Sequence, residues 1–272
     1  LLAAAEVARR QGDLPDRVIN TAEKTTATHD FRLRYLAPYR ELLKPHAARQ
    51  ALDEAWVLGL IRQESRFMAE VRSSAGATGL MQLMPGTAQW VANKLGLRNW
   101  RWSGATDVDT NLNFGTFYLR QVLDGLDGNA VLATAGYNAG PGRARAWRPE
   151  RAMEAAAWAE TIPFNETRHY VKLVMANASY YAALFTQQAQ SLRARIGQVT
   201  CLDHRRDRHR VALAEVGEAA GGRHTGSAGD GKVIRIETPH CGRRRAGERV
   251  AGNRSLDSGA YRRFDPPSAR LL

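Results

Sequence analysis

The first 200 residues contain no cysteine; Cys201 and Cys241 both fall in the remainder. A disulfide framework or a Cys-based metal site is therefore excluded before residue 200. Beyond it, Cys201, His204, His209 and Cys241 have a spacing that matches no strong zinc pattern. Histidine is scarce as well. Only His29, His46 and His169 occur before residue 200, and their spacing is not that of metal ligands. Neither a metal nor any other cofactor is expected. No apolar run reaches transmembrane length, and no signal-peptide pattern opens the chain. The chain starts Leu-Leu and is helix-like at once. It reads as a fragment whose true start, and any export signal, lies upstream. Also missing are a Gly-x-Gly-x-x-Gly turn after a strand, a Lys-Ser/Thr phosphate loop and a nucleophile-elbow Ser. Dinucleotide, P-loop and serine-hydrolase chemistry are thereby set aside.

What is present divides the 272 residues unevenly. All six Trp lie between Trp56 and Trp158, whereas Leu, Ile, Val and Phe supply only 12 of residues 201–272. A segment so poor in large apolar side chains does not bury a core. The folded part is expected to end near residue 199. The net charge is +12, which suits an acidic partner or surface. The basic residues are scattered, and the one tight run is Arg243-Arg244-Arg245. Nucleic acid is therefore not the expected partner.

Along the chain the apolar spacing is helical. Short helices are predicted over residues 1–12 and 16–24, then near 39–44. Longer ones follow from Asp53 to about Arg66, over 87–95, 109–123, 129–137 and 150–159, and from Asn165 to about Ala194. No alternating strand pattern appears before residue 200, so the fold class is all-α, with loops as the functional surfaces.

Within the Asp53 helix, Val57, Leu60, Ile61, Phe67 and Met68 recur at helical spacing, and Glu64 lies on the same stripe. A carboxylate on an apolar face needs a reason. On spacing alone, a buried acid paired with an Arg is the more ordinary explanation. The sharper one is a general acid kept protonated by an apolar pocket. Residues 73–86 are rich in Gly, Ser and Ala, yet carry Met81, Leu83 and Met84. A loop both glycine-rich and apolar suits either the wall of a cleft, with Ser73 and Gln82 inside it, or a packed turn between helices. Tyr137-Asn138 closes a helix just before Gly140-Pro141-Gly142. Plentiful Trp and Tyr suit a carbohydrate cleft.

The motifs RQES, S-x-x-GA-x-GLMQLMP, AGYNAGPGR and ETIPFNETRHYV together resemble the catalytic domain of the soluble lytic transglycosylases, within the lysozyme-like superfamily. The resemblance covers about Tyr35 to Val199. It implies a lysozyme-like helical catalytic domain over 35–199, preceded in 1–34 by the end of a helical superhelix. Residues 200–272 resemble nothing identifiable; they are expected to be a low-order basic tail or a mistranslated end. The resemblance further implies a periplasmic enzyme whose partner is peptidoglycan glycan strands. Its reaction would be non-hydrolytic cleavage of the MurNAc-β-1,4-GlcNAc bond, leaving 1,6-anhydroMurNAc ends. Glu64 matches the single acid/base. Ser73, Gln82 and Met84 match positions beside it, Tyr137 and Asn138 the pair near the acetamido group, Glu166 the groove lining and Tyr170 a cleft tyrosine. A core role for Tyr170 is equally compatible with its place on a long helix. Two alternatives stay open: a goose-lysozyme-like hydrolase that uses water, and an inactive glycan-binding module.

Overall fold

A computed structural model describes residues 1–12 and 14–201. The expectations for the tail, and the grouping of His204, His209 and Cys241 with Cys201, lie outside the described residues. The fold is helical, as the spacing predicts. Helices α1 (Leu2–Arg10), α2 (Pro15–Glu23) and α3 (Phe31–Arg34) form a small unit around Ala5, Val18, Ala22 and Leu33. Then come α4 (Arg40–Arg49), α5 (Glu54–Ser65), α6 (Pro85–Lys94), a 3₁₀ turn (Trp102–Thr106), α7 (Val108–Gly125), α8 (Ala130–Ala139) and α9 (Pro141–Ala146). The chain continues with α10 (Ala155–Thr161), α11 (Asn165–Thr186) and α12 (Leu192–Ile196). The described strands are two-residue pieces, β1 (Met153–Glu154) and β2 (Gln198–Val199), paired antiparallel.

Helix α5 is the central post. Asp53 caps it, accepting from the Ala55 and Trp56 amides, which satisfies donors left orphaned at a helix start. From Ala55 to Arg62 every residue is buried. Helix α11 crosses it at Gly59. A Cβ there would stand 2.8 Å from the Val174 carbonyl oxygen and 2.9 Å from the Ala178 amide. Only the missing side chain lets the two backbones approach so closely. Trp56 is anchored across the core by its indole N–H on Thr134 Oγ1, 2.9 Å away.

The N-terminal unit is fastened to the back of α5. Arg62, buried, donates to Glu23 at 2.5 Å, to the Arg34 carbonyl at 3.1 and 3.2 Å and to Asn177 at 3.3 Å. Its guanidinium also lies over the Tyr35 ring. Glu23 takes a second cation, Arg66, at 2.8 Å. Ile19 joins the main core rather than the small cluster.

The observed boundaries differ from the predicted ones where local chemistry and packing compete. Helix α4 runs through Pro45, because Leu43, His46 and Ala47 are held in the core on one face. The Gly140-Pro141 pair reads as a stop, yet it starts α9: Gly140 takes φ +95° and Pro141 fills the first helical position. Helix α11 ends at Thr186 with Gln187 left-handed (φ +54°), and Ser191 caps a separate α12. Among the described residues no helix is long and apolar enough to cross a membrane.

The crossing at Gly59 gives a direct test. Gly59→Val is expected to lower unfolding free energy by about 1–3 kcal/mol, the usual cost of overpacking a tight core, measured by denaturant titration of the full chain. Unchanged stability would mean the helices separate freely there.

Candidate active site

Glu64 stands in the last turn of α5. Two left-handed residues, Arg66 (φ +50°) and Phe67 (φ +66°), then end the helix and turn the chain into the glycine-rich loop. Ser65 fixes that exit: its hydroxyl donates to the Leu80 carbonyl at 2.8 Å and accepts from the Phe67 amide at 3.1 Å. The loop folds on itself through bridges between Arg72 and Thr78 and between Thr78 and Leu83.

A buried asparagine from α7 holds the loop from beneath. Asn111 accepts from the Met81 amide at 2.8 Å and donates to the carbonyls of Thr78 at 3.1 Å and Ala105 at 2.8 Å. Any Cβ on Gly79 would strike the Asn111 amide, and one on Gly115 would strike Met81. Sequence reading passed over Asn111. The available signal was its place four residues before Gly115 and eight before Leu119, on the buried stripe of α7.

The environment of Glu64 is tyrosine-rich and poor in charge. The Tyr170 hydroxyl, from α11, donates to Glu64 Oε1 at 2.5 Å. Tyr137, in α8, lies close enough for the Glu64 charge to oppose its ionisation, and its hydroxyl donates to the Met81 carbonyl at 2.8 Å. Tyr118 packs its ring against Tyr137. Glu64 is half-buried by side-chain area, but its carboxyl end is enclosed. Burial pushes its pKa from 4.5 up to about 7; the exposed Glu166 adds a little repulsion, and the Tyr170 hydrogen bond opposes both. Burial and the adjoining carboxylate lift the Tyr137 and Tyr170 hydroxyls well above their ordinary value. The hydroxyls are donors, then, and Glu64 is the group whose proton is in play near neutral pH.

The structure gathers Glu64, Tyr137, Tyr170 and Glu166 into one electrostatic neighbourhood. Asn138 joins it through Thr167 in the first turn of α11, whose hydroxyl donates to Asn138 Oδ1 at 2.6 Å. Ser73 and Gln82 are spent on the loop. Ser73 Oγ accepts from the Ala77 amide, and the Gln82 amide donates to the carbonyls of Val71 and Gly79, steadying a backbone at φ +45°. Met84 is 42 % exposed at the start of α6. The other acids near the motifs are engaged elsewhere: Asp107 caps α7, Asp109 meets His46 and Glu160 pairs with Lys172. Among the described residues no three His, Cys, Asp or Glu side chains gather as a metal site.

The fold is all-helical and lysozyme-like, with an enclosed carboxyl between helices and a braced glycine loop beside it. Residues 41–159 match the family model described as the transglycosylase SLT domain, and 161–190 that described as the soluble lytic transglycosylase helical domain. The second match falls on the end of α10 and on α11. The soluble lytic murein transglycosylase of Escherichia coli K12 is 39 % identical over 151 residues, covering 54 % of this chain and 23 % of that protein. Its putative counterpart in Haemophilus influenzae is 33 % identical over 157 residues, covering 56 % and 26 %. An inactive Glu-to-Gln mutant of the lytic transglycosylase Slt from Pseudomonas aeruginosa superposes with a TM-score of 0.64 at 37 % identity, over 69 % of this chain and 30 % of that one. The 70-kDa soluble lytic transglycosylase of E. coli gives 0.62 at 32 % identity, over 69 % and 31 %. Residues 41–159 are a transglycosylase SLT domain, and the chain spans about a quarter of the length of the curated relatives it matches.

Raising Glu64 has a thermodynamic consequence. Its folded pKa of about 7 exceeds the ordinary 4.5, so the folded state holds a proton that the unfolded state has lost. Stability therefore falls as pH rises from about 4.5 to about 7 on account of this group. Glu64→Gln removes the penalty. The variant is expected to be more stable than the parent by about 1–3 kcal/mol at pH ~8, the upper figure being discounted for residual solvent contact. The difference should shrink toward zero near pH ~4. Denaturation curves at the two pH values check it; an equal offset at both would contradict the raised pKa.

Proposed function

We propose that this domain is a peptidoglycan lytic transglycosylase in which Glu64 acts first as acid and then as base. The observation that supports this most directly is the enclosed Glu64 carboxyl, half-protonated near neutral pH and hydrogen-bonded by Tyr170. Protonated Glu64 gives its proton to the glycosidic oxygen as the C1–O bond of N-acetylmuramic acid breaks. The 2-acetamido oxygen of the same sugar closes on C1, and its nitrogen takes up positive charge. Glu64, now a carboxylate, removes the proton from the O6 hydroxyl, and O6 displaces the acetamido oxygen at C1. The product is a 1,6-anhydromuramoyl end, and the carboxyl is again protonated. The substrate's amide thus does the work that most glycosidases assign to a second carboxylate.

The neighbours are given parts in the same reading. In this reading Tyr137, close to Glu64, and Asn138, the next residue of α8, turn a hydroxyl and an amide to the acetamido group and the charge it develops. Tyr170 orients the carboxyl through its 2.5 Å hydrogen bond. Met84 and Glu166 are both exposed and are assigned to contact with the glycan. Ser73 and Gln82 shape the wall through the loop. Relatives named as murein transglycosylases support peptidoglycan as substrate and the periplasm as the place of action.

One observation favours hydrolysis as the competing chemistry. The Glu166 charge acts on Glu64, so the surroundings of the acid include a second carboxylate, the kind of group that activates a water molecule in hydrolytic glycosidases. Product mass decides. Digested cell wall is expected to give muropeptides lighter by one water than their hydrolysed counterparts, and Glu64→Gln is expected to reduce cleavage by at least about 10³-fold while retaining helical circular dichroism. Reducing-end products would establish hydrolysis instead; retained activity in the variant would remove Glu64 from the reaction.

A further inference from the structure

Helix α11 begins without a capping side chain. Phe164 occupies its N-cap and makes no side-chain hydrogen bond to the first turn, so the amides freed there lack the usual acceptor. Arg168 steadies the entry by donating twice to the Ile162 carbonyl. Toward the interior, Thr167 holds the same turn. That residue is 2 % exposed, and its hydroxyl donates to Asn138 Oδ1, in α8, at 2.6 Å.

Threonine hydroxyls inside a helix commonly return to the carbonyl four residues back. Thr116, Thr134 and Thr186 do so, on Leu112, Ala130 and Ala182. Thr167 reaches across to a neighbouring helix instead. It belongs to a buried stripe of α11 with Tyr170, Val174 and Ala178. Val174 and Ala178 make the close crossing with Gly59, and Tyr170 donates to Glu64. One turn before Tyr170, Thr167 meets the residue that follows Tyr137. The Tyr137 hydroxyl opposes ionisation of Tyr170, and the Glu64 carboxylate opposes that of both. Two successive residues of α8 are therefore matched with two positions one turn apart on α11, and Glu64 acts on the inner pair. A hydroxyl as buried as that of Thr167 does not meet a glycan. What it sets is the register of the two helices that bring the tyrosines to the acid.

We propose that Thr167 is a positioning residue for cleavage: its hydrogen bond to Asn138 fixes α8 against the first turn of α11 and so holds Tyr137 and Tyr170 in place about Glu64. The inference rests on the reading of Glu64 as acid and base. It adds a residue that acts only through others. Because it is remote from the substrate, Thr167 acts on kcat and leaves KM nearly alone.

The experiment uses the full chain, solubilised peptidoglycan strands and Thr167→Val, which keeps the branched shape and deletes the hydroxyl. A kcat about tenfold lower is expected, the scale of a small misplacement of reacting groups, with KM within about twofold of the parent's. In a carbon-13 titration of the ligand-free variant, the Glu64 midpoint is expected to move upward from about 7, because the Tyr170 hydrogen bond that opposes the effect of burial is weakened. Thr167→Ser restores the hydroxyl and is expected to return both kcat and the midpoint to the parent's values. Lower stability in Thr167→Val with kcat and midpoint unchanged would overturn the inference, since the bond would then serve the fold alone. A loss that Thr167→Ser does not repair would overturn it as well, assigning the effect to packing of the methyl group; so would a Thr167→Val chain that does not fold. Should the parent cleave no strands, the Glu64 reading falls, and the midpoint comparison still decides whether Thr167 holds the tyrosines about that acid.

Discussion

Helices α5 and α11 can touch only because residue 59 has no side chain, and the site depends on that contact. The close crossing at Gly59 brings Tyr170 to Glu64 and lets α11 wall off the carboxyl from solvent. The penalty for burying a charge is then met by keeping the proton instead of by pairing with a cation. Arg62, only two residues away, is turned to the opposite side, where Glu23, the Arg34 carbonyl and Asn177 absorb it. One helix thus carries a buried cation that is fully paired and a buried acid that is not. That separation gives the end of α5 its chemistry.

A raised pKa alone does not make a site. The loop from Phe67 to Met84 must hold its shape beside the carboxyl, and it has no regular structure of its own to do so. Four side chains supply the order: Ser65 at the helix exit, Asn111 beneath the loop, and Ser73 and Gln82 within it. The Met81 carbonyl, set by the Asn111 contact to its own amide, receives the Tyr137 hydroxyl. Position is thereby passed from α7 through the loop to α8. The N-terminal unit adds a further brace through Glu23, which holds both Arg62 and Arg66 at the end of the helix that presents Glu64.

Helical periodicity made most of this fold legible in the sequence. The stripe through Val57, Leu60, Ile61 and Glu64 identifies α5, its Asp53 cap and the exceptional acid on its inner face. The rest needed tertiary information. Spacing could not say whether Glu64 was paired, because the group that meets it, Tyr170, is 106 residues away. The same limit hid Asn111, whose three partners come from the loop and the 3₁₀ turn. Pro45 and Pro141 misled in opposite ways. Pro45 looks like a stop, but core packing carries α4 through it; Pro141 looks like a stop and begins α9. Ser73 and Gln82 were recognisable as polar groups in an apolar loop, but their hydrogen bonds to that loop appear only once it is folded.

Enclosure, rather than a partner, sets the ionisation of Glu64. The most direct measurement is a carbon-13 NMR titration of the glutamate side-chain carboxyls in the ligand-free protein, with the Glu64 resonance assigned by its loss in Glu64→Gln. A midpoint of about 7 is expected for Glu64. A midpoint at or below 4.5, the ordinary value for a glutamate, would contradict it and return Glu64 to the role of a structural acid.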